Sequence, residues 1–486
     1  MSEEIVNVRM KGLSLKKAET LFEIRRAFKP TPLITDEEFT TFYEEGLNEV
    51  RGNDKIESIA AILELDHRAG YYKTFLIGHS GVGKSTELTR LCRIVDDKFV
   101  PIRFSAQEDL DASGFRPFDV FLMMMILLTE EMQRRFDESC ILEMIPEELL
   151  EQVHGWYDVP KTTTTKDNQF AGSAEAGIGL KSESFLAKVT GLFANVKTEI
   201  KYVSDQKTEV TEYRLHTIGQ LLNLLNWMLD SCNEALFQKE GKEWLFIGED
   251  FDKPGIPPNL TETLFIQYSN LFKDLRAHAI FTLPIEIAYS DRQPRLSCDC
   301  ECILDTPVYR SNHTPHEEGR EALRRVLKAR IDLNLFEDGQ ADRLIVASGG
   351  NLRDLFELVS DAATEAIVRG RKAPKDATDS GKIEEREVTY AINQKRIEYR
   401  NRLGQTSTDP KELTYDVKAE LLKQTYLQGT KERIPNPVMH SLLRAKALQE
   451  FNGEGWFGVH PLVVDLLIEQ KVIEANAEGK YPGGTI

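Results

Sequence analysis

Hydrophobic and polar residues follow two different periods along the chain. Short apolar runs bounded by polar residues predict strands, whereas segments in which apolar residues recur every three to four positions predict helices. The runs predict a strand that ends at Ile77 and further strands at about 99–104, 244–248 and 279–283. Helical segments separate these runs, including a long apolar helix through Met123, Met124 and Met125. This alternation predicts an α/β fold in which a parallel sheet is flanked by helices.

The same patterns divide the chain into four parts. Helical segments in residues 1–50 predict an N-terminal lead-in, and residues 51–308 predict the α/β core. A Gly- and Thr-rich stretch at about 158–205 interrupts the core and predicts an insertion with a hairpin or a mobile segment. Residues 309–405 keep only helical periodicity, which predicts a helical lid. Residues 406–486 combine helices with a strand, a Gly-rich turn and a strand, as in a winged helix.

Composition narrows the classes of protein. The chain has 486 residues, 41% of them hydrophobic, which is enough for several folded domains. Its net charge of -18 disfavours non-specific binding to nucleic acid, because phosphate binding requires a surplus of Lys and Arg. The most apolar run, 120–128, is much shorter than the roughly 20 residues that cross a bilayer. The N-terminus does not resemble a signal peptide, so we expect a cytoplasmic protein.

A glycine-rich segment follows the first predicted core strand. It reads Gly78-His79-Ser80-Gly81-Val82-Gly83-Lys84-Ser85 and leads into a predicted helix that begins at Lys84. Together with Thr86, these residues are the candidates for nucleotide binding. In such a loop the glycines allow successive backbone N–H groups to point at phosphate oxygens. Lys84 then reaches the β- and γ-phosphates, and Ser85 binds Mg²⁺. The strand before the segment and the helix after it are the context that this motif requires, so the sequence predicts a nucleotide site.

Two adjacent acids, Glu249 and Asp250, follow the predicted strand 244–248. A phosphate-binding loop needs an acid at the end of a neighbouring strand to hold the water shell of the metal. By position, Glu249 serves Mg²⁺ and Asp250 orients the attacking water. A register one residue later gives Asp250 the metal role instead. Either assignment permits hydrolysis of ATP to ADP and phosphate.

Two arginines are further candidates for contact with phosphate. Arg353 lies in the first turn of a predicted helix after Gly349 and Gly350, which suits it to lean onto the phosphates. Arg330 lies in the preceding helical segment. It is a candidate for a second cationic contact or for a finger that reaches a neighbouring subunit, and exposure to solvent is the default for such a residue.

Taken in order, the segments GHSGVGKSTEL, LFIGEDFDK, IFTLP, SGGNLRDL and GWFGVHPLV resemble those of the prokaryotic AAA+/STAND-like P-loop ATPases. The resemblance spans most of the chain and implies a sheet whose two Walker strands are separated by another strand. It implies a γ-phosphate sensor at Thr282, although Thr in a strand is also an ordinary β-former. It implies a sensor 2 role for Arg353, nucleotide and Mg²⁺ roles for Lys84 and Ser85, and Walker B roles for Glu249 and Asp250.

The chain departs from this family pattern in two respects. Glu249 stands where Asp is commoner, and no arginine finger is evident. No guanine-reading motif follows the Walker B strand, which favours ATP over GTP.

Two functions fit these motifs best. The first is a switch or sensor in which ATP orders the lid and a partner protein or self-assembly receives the motion. The second is a DNA-handling ATPase, of initiator or transposition-regulator type, that uses a winged helix. Residues 411–486 carry nine Lys or Arg and ten Asp or Glu, which disfavours DNA. A stripe of Lys395, Arg396, Arg400 and Arg402 is the counter-argument, although Glu387 and Glu398 dilute it and a solvated helix face is the default. A small-molecule kinase is a third, weaker possibility.

Overall fold

A five-stranded parallel sheet forms the centre of the molecule. The computed structural model describes residues 16–52, 54–165, 185–201, 208–290, 293–372, 381–405, 409–428, 436–451, 456–474 and 483–485. The strands are β1 (Lys73–Ile77), β2 (Phe99–Ser105), β3 (Glu243–Glu249), β4 (His278–Thr282) and β5 (Asp299–Cys302). Their order is β2-β3-β4-β1-β5, and every neighbouring pair is parallel. The predicted α/β fold of a P-loop NTPase is confirmed.

The order of the strands places the two Walker elements. β4 lies between β1 and β3, so the expected separation of the Walker strands by another strand is confirmed. All residues of β3 and β4 are buried, as is usual for strands covered on both faces. Because the strands are parallel, their carboxyl ends meet at one edge of the sheet, and the loops that follow β1, β2, β3 and β4 converge there.

Helices cover both faces of the sheet. Before β1 the chain forms α1 (Leu21–Ala27), α2 (Asp36–Phe42), α3 (Gly46–Val50) and α4 (Lys55–Asp66). Between β1 and β3 lie α5 (Lys84–Ile94), α6 (Pro117–Arg135), α7 (Glu138–Met144), α8 (Glu147–Thr165), α9 (Phe185–Lys201), α10 (Thr208–His216) and α11 (Ile218–Glu240). After β3 the chain forms α12 (Pro258–Glu262), a π-helical turn, α13 (Ser269–Asp274) and, beyond β4, α14 (Ile285–Ala288).

The predicted insertion at about 158–205 is helical wherever the structure describes it. The end of α8 and the whole of α9 occupy 158–165 and 185–201, and the expected hairpin is not found in these two ranges. Apolar residues of the two helices, among them Val153, Trp156, Val196 and Ile200, join the main hydrophobic core. The prediction of a mobile segment concerns 166–184 and 202–207, which lie outside the described residues.

The last part of the chain contains two helical layers and a hairpin. The predicted lid contains α15 (Glu317–Arg330), α16 (Gln340–Ala347), α17 (Leu352–Lys372) and α18 (Glu385–Arg402). It is followed by α19 (Tyr415–Gln428), α20 (Pro437–Arg444), the antiparallel pair β6 (Leu448–Phe451) and β7 (Trp456–Val459), and α21 (Pro461–Glu469). Helices followed by a hairpin match the predicted order, and the winged helix itself stays a prediction. Within the described ranges, no helix has the length and apolarity that crossing a membrane requires.

Candidate functional site

The glycine-rich loop leaves the carboxyl end of β1 in a conformation that depends on its glycines. Gly78, Gly81 and Gly83 have φ angles of +144°, +93° and +111°, a region that side chains with a Cβ rarely adopt. A Cβ on Gly81 would also lie 2.5 Å from the Cβ of Arg353. The loop ends where α5 begins at Lys84, so the unpaired N–H groups of the first helical turn face the loop. This arrangement is the one that a phosphate group requires.

The ammonium group of Lys84 lies inside the loop and is almost completely buried. Its Nζ donates hydrogen bonds to the backbone oxygens of Gly78, at 2.7 Å, and His79, at 3.0 Å. It also forms an ion pair with Asp252, whose Oδ2 is 2.9 Å away. An ammonium group has three N–H donors, so these three partners occupy all of them.

Asp252 is a site residue that sequence reasoning missed. It lies two residues beyond the predicted pair of acids, in the loop after β3, and it is buried. Burial alone would raise the pKa of its carboxyl group, but the Lys84 ammonium outweighs burial and keeps that pKa below its ordinary value. The only sequence signal was a third acid in Glu249-Asp250-Phe251-Asp252, and its partner could not be inferred from spacing.

Thr282 is the last residue of β4 and lines the same cleft. Its hydroxyl oxygen is buried and forms no hydrogen bond of regular geometry with any residue that the structure describes. The hydroxyl nevertheless lies near the Asp252 carboxylate and contributes to its lowered pKa. Thr282 therefore lies in the same cleft as Asp252, and its role as a γ-phosphate sensor stays a prediction.

Glu249 ends β3 and pairs with an arginine from the neighbouring strand. Arg103 of β2 donates from Nε, at 2.8 Å, and from Nη2, at 2.5 Å, to the same carboxylate oxygen, Oε1. Arg103 also reaches α5, where it donates to the Thr89 hydroxyl at 2.8 Å. Burial alone would lower the pKa of Arg103, but the charge and hydrogen bond of Glu249, together with Cys92 and Asp250, outweigh it and raise that pKa. Arg103 is a second residue that the sequence did not single out.

Asp250 has a strained backbone at the edge of the cleft. Its φ angle is +65°, a left-handed conformation that is uncommon outside glycine and recurs at functional sites. Its Oδ2 accepts a hydrogen bond of 2.7 Å from the Ser105 hydroxyl at the end of β2, and Lys253 lies 3.4 Å from Oδ1. Glu249 and Asp250 thus both lie at the cleft, held by different partners.

The lid contributes Arg353 and Asn351 directly to the loop. Arg353 donates from Nη1 to the Ser80 hydroxyl at 2.8 Å and from its backbone N–H to the Gly81 carbonyl at 3.1 Å. The Asn351 amide donates to the Ser80 carbonyl at 3.2 Å. The predicted approach of Arg353 to the phosphate loop is therefore present as a contact within the chain.

A buried polar network continues from the loop into the lid. His79 Nδ1 lies 2.6 Å from Oδ2 of Asp305, and both side chains are buried. Burial would raise the pKa of Asp305, but His79 and then Asn351 hold it far below its ordinary value. The Asn351 amide joins this pair by donating to Asp305 Oδ1 at 2.9 Å. The phosphate loop and the lid thus share one set of hydrogen bonds.

The network reaches the C-terminal helices and hairpin. Lys446, just before β6, lies 3.4 Å from Asn351 Oδ1 and 3.5 Å from Oδ1 of Asp354. The Tyr399 hydroxyl donates to the other oxygen of Asp354 at 2.6 Å, and the Tyr399 ring stacks on His460 with centroids 4.2 Å apart. Burial lowers the pKa of His460 to about 4, so this imidazole is neutral at physiological pH.

Two expectations about basic residues are wrong. Arg330 is not a solvated surface residue, since it is buried between the rings of Phe42 and Phe356 and donates to the Phe42 carbonyl at 3.0 Å. Three of the four residues of the basic stripe on α18 form ion pairs, and the fourth, Arg400, is exposed. Lys395 is buried and pairs with Glu357 and Glu398, Arg396 with Glu469, and Arg402 with Glu398.

One cavity of about 620 Å³ collects these groups. The phosphate loop from Ser80 to Thr86, the acids after β3 and Arg353 line one part of it. Apolar and aromatic residues from the segment 30–34, α2 and α17 line much of the rest, together with the charged side chains of Glu44, Arg51 and Arg330. The segment is tied to the loop, because the Leu33 backbone N–H donates to the Thr86 hydroxyl at 3.2 Å. The cavity therefore joins a polar end to an apolar end.

Comparisons with known proteins give only distant likenesses. No family model and no curated protein matches the chain. A solved structure of the ORC2 protein of Aeropyrum pernix, in its ADP form, is 12% identical with a TM-score of 0.37, over 93% of this chain and 99% of that one. Cdc6p of Pyrobaculum aerophilum is 9% identical with a TM-score of 0.35, over 92% and 97%. A Walker-type ATPase of Pyrococcus abyssi is 12% identical with a TM-score of 0.32, over 91% and 99%. Scores this low do not assign the chain to a family.

Proposed function

We propose that the chain binds ATP with Mg²⁺ in this cleft, hydrolyses it, and acts as a nucleotide-driven switch. The observation that carries the proposal is the glycine-dependent loop after β1, whose Lys84 and first helical turn converge on one cavity with three acids and Arg353. A phosphate chain fits the polar end of the cavity, and a base fits the apolar end formed by segment 30–34 and α17.

The side chains present fit a Mg²⁺ ion that is held mainly by phosphate oxygens. Among the described residues, no group of three or more His, Cys, Asp or Glu side chains could hold a metal. Mg²⁺ commonly takes one or two protein ligands and fills its shell with water and phosphate. Ser85, Glu249 and Asp250 are the candidates, and a bound Mg²⁺ would neutralise charge on the phosphates.

Each side chain then has a chemical task. Lys84 and Arg353 neutralise the phosphates, and Thr282 donates its spare hydroxyl to a γ-phosphate oxygen. Asp250, held by the Ser105 hydroxyl, orients the attacking water. Glu249 would help to hold the metal, since Arg103 donates only to its Oε1 and leaves its other carboxylate oxygen to face the ion.

The buried network supports a switch more than a plain hydrolase. Ser80 is contacted by Arg353 and Asn351 of the lid, and Asn351 is in turn linked to Lys446 of the C-terminal part. A phosphate bound beside Ser80 and Lys84 changes the charge at one end of this chain of contacts. This change would shift the lid and the C-terminal helices, and a partner protein or a second copy of the chain would bind one of the two conformations.

The test is ATP binding and phosphate release by the wild type and by Lys84→Ala. We expect the substitution to lower turnover by roughly a hundredfold or more, the effect of removing one positioned transition-state charge. Lys98→Ala is the matched control, because Lys98 pairs with Glu64 on the surface and lies outside the cleft. Equal turnover in wild type and Lys84→Ala would overturn the proposal.

A second measurement distinguishes the switch from the DNA-handling alternative. Turnover is measured with and without duplex DNA, and size is measured with and without ATP. The internal pairing of the α18 stripe argues for no stimulation by DNA. Strong stimulation by DNA would favour the alternative, whereas ATP-dependent assembly alone would favour the switch.

A further inference from the structure

The contact between Lys84 and Asp252 has a consequence for nucleotide affinity. A phosphate oxygen can reach the Lys84 ammonium only if one of its three present partners gives way, because all three N–H donors are in use. Two of those partners are carbonyls of the loop itself. The third, Asp252, is the only one that carries a charge.

Asp252 lies where its carboxylate competes with a phosphate group for the Lys84 ammonium. Both members of the pair are buried, with 7% of the Lys84 side chain and 6% of the Asp252 side chain exposed. Little water therefore screens either their attraction or the repulsion between Asp252 and an arriving phosphate.

We propose that Asp252 is a positioning residue that acts through Lys84, and that its carboxylate competes with phosphate for the Lys84 ammonium and so sets a ceiling on nucleotide affinity. This inference rests on the proposed function, since it concerns the same site. It gives Asp252 a role distinct from those of Glu249 and Asp250, which contact Arg103, Ser105 and Lys253 instead of Lys84. An ATPase with such a counter-ion exchanges nucleotide more readily than one without it.

The test substitution is Asp252→Asn, which removes the charge but keeps the size and an oxygen that can still accept from Lys84. Binding of ATP is measured by calorimetry in EDTA, so that metal ligation makes no contribution. We expect the affinity to rise roughly tenfold, the change that loss of one charged hydrogen-bonding competitor produces. With Mg²⁺ present, the same direction is expected.

Asp250→Asn is the matched control. It removes one carboxylate charge from the same cleft without touching Lys84. An equal rise in both variants would mean a general effect of charge and would overturn the role through Lys84.

A double substitution distinguishes an effect through Lys84 from a purely structural role of Asp252, with ATP affinity as the measured quantity. If Asp252 acts through Lys84, Asp252→Asn will raise ATP affinity clearly less in a Lys84→Ala background than in the wild type, because only the direct repulsion of phosphate is then removed. An equal rise in both backgrounds would overturn the role through Lys84. A wild type that binds no ATP would contradict the proposed function itself. A wild type that binds ATP, with weaker or unchanged binding by Asp252→Asn, would overturn only the competition.

Discussion

The two sides of the phosphate loop differ in how their charges are neutralised. On the side that faces the lid, His79, Asp305, Asn351, Asp354 and Lys446 form a buried network, which we call the closed side. On the side that faces the ends of β2 and β3, Arg103, Glu249, Asp250 and Lys253 line the cleft, which we call the open side. The Arg103 and Asp250 side chains there are 31% and 22% exposed, against 4% and 1% for His79 and Asp305.

This difference separates stability from turnover. A buried charge that loses its partner is left without compensation, whereas a partly exposed charge is compensated by water. The closed side therefore holds the lid and the C-terminal part on the core, and the open side keeps groups available for chemistry. Substitutions on the closed side should cost stability, and those on the open side should cost turnover.

The largest effect is expected for Asp305→Asn on the closed side. The substitution removes the buried carboxylate that faces His79, whereas Lys446 keeps Asp354, and it should lower the free energy of unfolding by about 4 kcal/mol. Urea denaturation of the part that contains the lid would measure it. Asp36→Asn is the control, because the 96% exposed Asp36 pairs with Arg93 at the surface and should cost less than about 1 kcal/mol. Equal urea midpoints for Asp305→Asn and Asp36→Asn would show that the closed side contributes no more to stability than a surface ion pair does.

The next effect is the dependence of stability on pH through His460. Its pKa lies at about 4 in the folded chain and at 6.5 when unperturbed. Between these values the unfolded chain binds a proton that the folded chain does not, so stability falls as the pH drops from 6.5 towards 4. Across that window the loss should be about 3 kcal/mol.

His460→Asn isolates this contribution. Asn can still cap α21, where His460 Nδ1 now accepts from the Leu462 N–H, but it does not titrate. Urea midpoints measured from pH 4 to pH 7 should fall less steeply in the variant than in the wild type. The same slope in both proteins would show that His460 does not carry the effect.

A smaller effect is expected for Arg103→Gln on the open side. The substitution releases Glu249 and the contact with Thr89, and turnover should fall roughly tenfold. Stability should fall less than in Asp305→Asn, because Arg103 is 31% exposed and Glu249 lines the cleft, where water can reach its carboxylate. Arg93→Gln is the matched control, since Arg93 is 32% exposed and pairs with Asp36 away from the acids. A large loss of stability with full turnover would show that Arg103 stabilises the fold, as the closed side does, and takes no part in turnover.

The smallest effect is expected for Thr282→Val. Its buried hydroxyl forms no regular hydrogen bond with the described residues, so the substitution should leave stability within about 1 kcal/mol of the wild type. A sensor of the γ-phosphate predicts that turnover nevertheless falls several-fold. Full turnover would instead support the interpretation of Thr282 as an ordinary strand residue.

The phosphate loop and the two acids of the open side, Glu249 and Asp250, were predictable from the sequence, whereas Arg103 and the pairings of the closed side were not. The phosphate loop and the acids after β3 are contiguous motifs next to apolar strands, so local pattern was enough to find them. Predicted strand 244–248 differs from β3 (Glu243–Glu249) by one residue at each end. His79 and Asp305 are 226 residues apart, and no periodicity links them.

Other misses have the same physical origin. Lys395 and Arg330 were expected to be solvated because their segments are rich in charge, but tertiary packing buried both of them. Asp252 was overlooked because two acids already satisfied the motif. The predicted insertion contained glycines and threonines that suggested a hairpin, yet its described residues are helical because α8 and α9 bury apolar side chains in the main core.

The central claim is that binding of ATP at the phosphate loop changes the conformation of the lid and the C-terminal part through the hydrogen bonds of the closed side. Hydrogen exchange of the backbone amides, measured with and without a slowly hydrolysed ATP analogue, tests it most directly. We predict increased protection at 78–86 together with changed protection at 348–354 and 446–451, and none of these changes in Lys84→Ala. Protection confined to 78–86 would show that the site binds ATP without coupling, and no change at all would contradict the nucleotide site.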